Sequence, residues 1–66
     1  MQKILIKRQE ALQEIVELWQ LKTPVKGFTH IVQTINFKSK MLTSSTLFML
    51  EERALNAFYR LTTANK

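Results

Sequence analysis

FTHIVQTINFKSKML, residues 28–42, admits two incompatible periods, and the choice between them sets the architecture. Thr29, Ile31, Val32, Thr34 and Ile35 are β-branched, side chains that favour extended backbone. Phe28, Ile31, Val32, Ile35 and Leu42 also line one face of a helix with ~3.6 residues per turn. We read the segment as helix over about 28–42, with a strand over 28–37 as the alternative. On the helical reading His30, Phe37 and Met41 project from the opposite face, because their spacing is close to whole turns. An aromatic ring and a thioether then face solvent.

Upstream, Lys22-Thr23-Pro24-Val25-Lys26-Gly27 reads as a loop. Before it, Ile4, Leu5, Ala11, Leu12, Ile15, Val16, Leu18 and Trp19 recur at three- and four-residue spacing, which predicts an amphipathic helix over about 3–22. Lys3, Lys7, Glu10, Glu14 and Glu17 form its wet face. Arg8 interrupts the apolar row Met1, Leu5, Arg8, Leu12, Ile15, Trp19; it must snorkel past Leu12 or pair with Glu51 or Glu52 of another helix. Downstream, Thr43, Ser44 and Ser45 offer hydroxyl caps for a third helix over about 45–62. Leu47, Leu50, Ala54, Ala57, Phe58 and Leu61 make its main apolar face, and Phe48, Leu55 and Tyr59 a second stripe. Residues 63–66 form a polar tail. The expected fold is all-α: one small domain over 1–66, built as a three-helix, homodimeric bundle.

Sixty-six residues lie near the size at which a single core is only marginally stable. With no cysteine, neither a disulfide nor a thiolate zinc site is open to the chain, and a lone histidine does not make a ligand cluster. One His, no Cys, no Asp and no nucleophile-elbow pattern argue against an enzyme, and no cofactor, metal or small-molecule substrate is expected. No apolar run approaches the ~18 residues of a membrane-spanning helix. The N-terminal residues lack the hydrophobic region of a signal peptide, so a cytoplasmic location is expected.

Binding is the remaining class. Phe37, Met41, Phe48, Leu55 and Tyr59 form an apolar surplus that one small helical monomer has trouble burying, which points to a dimer interface or a protein-docking surface. The leading reading is a small non-enzymatic regulator or adaptor that self-associates and binds another protein. The formal charge of +5 supports an alternative. From Leu18 through Leu50 there is no acidic residue, and Lys22, Lys26, Lys38 and Lys40 fall in that span, so a dimeric nucleic-acid-binding (DNA-binding) regulator is the second reading. In it Phe37 stacks on a base of a single strand.

Through the alternating Lys3-Ile4-Leu5-Ile6-Lys7, the turn glycine Gly27 and the hydroxyl of Thr29, residues 1–42 resemble ribbon-helix-helix repressors, in which an N-terminal strand pairs across a dimer and enters the major groove ahead of two helices. Lys3-Ile4-Leu5-Ile6-Lys7 matches the ribbon, Arg8 to Lys22 the first helix, Gly27 the turn and Thr29 the cap of the second helix. The resemblance implies DNA binding by a dimer, with Lys3, Leu5 and Lys7 directed at base edges. Pro24 in the loop departs from that pattern.

Overall fold

Residues 28–36 are extended, so the β-branched reading of this stretch prevails over the helical one. The structure, a computed structural model, describes residues 2–11 and 13–64. It contains strands β1 (Lys3–Glu10), β2 (Glu14–Val25), β3 (Phe28–Asn36) and β4 (Leu42–Phe48), followed by helix α1 (Glu51–Ala64). The strands form one antiparallel sheet in the order β1-β2-β3-β4, and the helix lies across one face of it. The all-α three-helix bundle is thereby corrected. Residues expected as the first helix, 3–22, are most of two strands and the turn between them; 28–42 is β3 and a loop; the third helix begins at Glu51 rather than near 45. Met1 and Leu12 of the expected apolar row, and Asn65 and Lys66 of the expected tail, lie outside the described residues.

The false helical period in the first segment has a physical origin. β2 is a central strand that buries Val16 and Leu18 on one side and Ile15 and Leu21 on the other, so the alternation of a half-buried strand is erased. β1 carries a register irregularity between Leu5 and Lys7, which shifts its phase by one residue. Two out-of-phase strands then mimic three- and four-residue spacing. The same irregularity ends the ribbon-helix-helix analogy: Leu5 pairs with Trp19 and Lys7 with Leu18, so Leu5 and Lys7 occupy opposite faces, and Arg8 to Lys22 is not a helix.

Packing follows from the register. Val16, Leu18 and Val32 share the face turned to the helix, and Ala54 and Phe58 close on them to form the core. Ala11, Phe48, Leu55 and Ala57 pack around this cluster. A helix of fourteen residues is marginal by itself, so α1 depends on this contact. Its first turn carries Glu51 and Glu52, which favour the positive end of the helix dipole. Thr43, Ser44 and Ser45 do not cap a helix; they belong to β4. A second irregularity there brings both Thr43 and Ser44 to the buried Thr34, whose hydroxyl lies 2.7 Å from the Thr43 hydroxyl and 2.6 Å from that of Ser44. Thr43 in turn donates to Glu14 Oε2 at 2.7 Å, so the polar chain under the sheet is satisfied.

The connections are tight. Val25 pairs with Phe28 around Lys26 and Gly27, whose φ angles of 52° and 86° are those of a two-residue hairpin turn of the I′ kind. Pro24 is tolerated because it falls between Gln20 and Val25, where the pairing with β3 is irregular, and beyond the register of β1, whose last paired residue is Leu21. In the β3–β4 loop, Asn36 Oδ1 accepts from the amides of Lys38 and Ser39 at 3.0 Å each, and Lys40 completes the reversal at φ 62°.

Two substitutions test this architecture by urea unfolding. Gly27→Ala should cost about 1–2 kcal/mol from the positive φ alone, since its new Cβ would meet only Met49 Cε, at an ordinary 3.8 Å. Phe58→Ala should cost about 3–5 kcal/mol, enough to unfold much of so small a domain. Equal stability of Phe58→Ala and the parent would contradict the packing described.

Candidate nucleic-acid interface

One sheet face is sealed by α1, and among the described residues no element covers the other. Alternation and register assign to this open face three complete cross-strand rows: Leu5, Trp19, Ile31 and Leu47; Arg8, Glu17, Gln33 and Ser45; Glu10, Ile15, Ile35 and Leu42. Three of its apolar side chains are nonetheless deeply buried, Ile15 at 5 %, Leu21 at 4 % and Ile31 at 6 % exposure. Burial this deep on a face that no described element covers implies a sheet curved toward it, a trough with β1 and β4 as rims. The register irregularities in both outer strands fit this, because a bulge bends its strand and adds twist. Leu5, Leu42 and Leu47 stand exposed on the rims.

The middle of the trough is held by Glu17. Its carboxylate accepts from Trp19 Nε1 at 3.1 Å and from Gln33 Nε2 at 2.7 Å, and Arg8 Nε lies 3.9 Å away. Arg8 also approaches Glu10 at 3.9 Å. Arg8 therefore finds its carboxylates within its own hairpin and not on Glu51 or Glu52. With its oxygens engaged, Glu17 orients the indole, and Lys3 Nζ sits 4.5 Å from the Trp19 ring centroid. This aromatic–cation pair in a curved sheet is the most ligand-like feature of the open face.

The lysines expected to form one basic segment are divided. Lys22 and Lys26 lie at the Gly27 end of the sheet, joined by Lys3, because the Lys22 amide donates to the Gln2 carbonyl at 3.1 Å. Lys38 and Lys40 lie in the loop at the other end, separated by the length of β3, about 27 Å for nine extended residues. Lys7 is on the helix side, with Nζ 5.7 Å from the Tyr59 ring. The trough thus runs between two cationic ends.

The five apolar residues expected to form an interface are also not brought together. Phe37 and Met41 are exposed in the β3–β4 loop, where Lys40 Nζ sits 4.7 Å from the Phe37 ring. Phe48 ends β4 and packs on the core, as does Leu55. Tyr59 is exposed and meets Phe58 edge-on at 5.7 Å. A second helical stripe of Phe48, Leu55 and Tyr59 does not exist, since Phe48 precedes the helix. Sequence reasoning missed the contacts of Trp19, Glu17 and Gln33 across the trough, because Glu17 and Gln33 are sixteen residues apart and meet only through strand pairing.

His30 is buried, with Nδ1 2.7 Å from the Thr29 hydroxyl and Nε2 3.5 Å from Glu51 Oε2. Among the described residues no group of three or more His, Cys, Asp or Glu could hold a metal ion. No helix of the described residues is long and apolar enough to cross a membrane.

Glu17→Ala strands the indole N–H and the Gln33 amide, and should cost about 1–3 kcal/mol in urea unfolding with a change in Trp19 fluorescence. Glu17→Gln keeps an acceptor and should recover most of that loss; indifference to both changes would mean that Glu17 does not organise the trough. No protein-family model, curated protein or solved structure matches this chain, so the functional reading rests on the trough itself.

Proposed function

We propose that the chain is a non-enzymatic binding module that takes a single-stranded nucleic acid along the open trough of its sheet. The observation that carries this reading is Trp19, fixed by Glu17 on a curved apolar floor with the Lys3 ammonium over its ring. A base entering the trough stacks on the indole and displaces the ammonium, which then pairs with the adjoining phosphate. The floor accepts any base because it offers apolar surface and few directed hydrogen bonds, so little sequence preference is expected. Lys22 and Lys26 at one end and Lys38 and Lys40 at the other would neutralise the backbone as it enters and leaves. Phe37, beside Lys40, supplies a second ring at the exit. A duplex fits poorly, since its bases are stacked inside and unavailable to a flat ring.

The test is fluorescence anisotropy with labelled octathymidylate. With five lysines engaged, the logarithm of affinity should fall against the logarithm of salt with a slope of about −3 or steeper between ~50 and ~200 mM. Trp19→Ala should cost about 1–3 kcal/mol of binding without changing that slope, whereas Lys38→Gln with Lys40→Gln should flatten it. Absence of binding at low salt, or full affinity in Trp19→Ala, would refute the proposal.

Self-association is a second reading with its own support. β4 is an edge strand, Leu-Thr-Ser-Ser-Thr-Leu-Phe, with no charge and no proline to discourage pairing, while β1 at the other edge carries Lys3, Lys7, Arg8 and Glu10. Met41, Leu42, Leu47, Met49 and Leu50 are exposed along or beside β4. A dimer joined at β4 should sediment as such and be reduced to monomers by Leu47→Lys; a monomeric parent chain at high concentration would refute it.

A further inference from the structure

On the helix side of the sheet, away from the trough, α1 and the end of β4 enclose a groove of about 230 Å³ lined by Phe48, Arg53, Asn56, Ala57 and Arg60. The four helical residues recur at three, four and seven positions from Arg53 and so form one stripe turned toward β4. Phe48 and Ala57, which pack on the core, make an apolar floor. Arg53, Asn56 and Arg60 are exposed and supply the polar rim.

Neither arginine forms an ion pair with a described residue. The ion pairs formed among the described residues involve Arg8 and His30, and none includes Arg53 or Arg60. Of the two acids of the helix, Glu51 faces His30, and Glu52 makes no ion pair with either arginine. Two forked guanidinium groups, with ten N–H donors between them, therefore flank one small groove, and no described carboxylate pairs with either. A stripe of this kind on the flank of a strand without carboxylates is not needed for packing, since the helix is already held by Ala54 and Phe58.

We propose that this groove binds a phosphate group, gripped between Arg53 and Arg60 with the Asn56 carboxamide as a further donor. Their Cα atoms lie about 10 Å apart, two turns along one face, a span that two long side chains close by leaning together. A tetrahedral phosphate offers oxygens to both forks at once, whereas a planar carboxylate is satisfied by one and leaves the other idle. The volume lies below the ~300–1,000 Å³ of sites that enclose a whole small molecule. The groove therefore takes the phosphate and leaves the rest of its carrier outside. The site stands on its own geometry; that the carrier is the strand held in the trough rests on the function proposed above. Thr46 and Ser45 form an uncharged, hydroxyl-bearing crossing between the two sides of β4.

The experiment follows the arginine Nε–Hε resonances of the intact chain during separate titrations with inorganic phosphate, octathymidylate and tetraglutamate. Saturable shifts of Arg53 and Arg60 with phosphate, abolished in Arg53→Gln with Arg60→Gln, support the site. If octathymidylate moves the same two resonances, the double variant should also lower the salt slope of strand binding by about 1.4, two contacts' worth, while Trp19→Ala leaves it unchanged. If phosphate moves them and the oligonucleotide does not, the site serves a free or terminal phosphate. Silence of both arginines toward phosphate and oligonucleotide overturns the proposal even where the strand still binds in the trough. An equal response to tetraglutamate overturns it as well, because the groove would then read charge and not phosphate.

Discussion

The contact of Phe58 and Ala54 with Val16, Leu18 and Val32 is the constraint on which the other features depend. A four-stranded antiparallel sheet has two faces, and the described residues form one helix, which covers one of them. Once α1 is spent on the face containing Val16 and Leu18, the opposite face must be stable while wet. It meets that requirement in two ways. Ile15, Leu21 and Ile31 are shielded by their neighbours, and Glu17 ties Trp19, Gln33 and Arg8 into one polar cluster. Among the described residues no second element seals that face, which leaves it open.

Charged residues fall in β1 and β2, where Arg8, Glu10 and Glu17 approach one another, at the two hairpin ends, and on the helix. The β3–β4 half of the sheet and both of its turns carry no carboxylate. A low-relief, acid-free half flanked by lysines, beside a curved apolar floor with one oriented indole, suits the proposed strand, whose bases are apolar on their faces and whose backbone is negative. The uncharged β4 edge serves the competing reading of self-association. The two readings place different partners against the same rim and are separable by charge dependence.

Part of this was legible in the residues. The last helix was foreseen over the stretch from Glu51 to Thr62, because Ala54, Ala57, Phe58 and Leu61 keep helical spacing and the segment contains neither Gly nor Pro. The β-branched run from Thr29 to Ile35 carried the information for β3, but its apolar residues on both faces also satisfied a helical stripe. β1 and β2 were misread because a central strand buried on both sides and a bulged edge strand together lack a two-residue period. The three residues between them in the sequence, 11–13, include neither Gly nor Pro to mark a break. Phase errors of that kind relocate every side chain. Local spacing therefore puts Phe48 on a helical stripe when it lies on a strand, and gathers into one patch four lysines that the fold divides. Lys3 and Trp19 meet only because β1 pairs with β2, and such non-local register is not readable from local periodicity.

The most direct test is an amide and indole chemical-shift map of the isotope-labelled chain with and without octathymidylate. The account predicts changes at the Trp19 indole, at Lys3 and Ile31, and at the lysine-bearing turns, with the core-facing Ala54 and Phe58 unmoved. Changes confined to the exposed side of the helix around Tyr59, with the Trp19 indole silent, would contradict it.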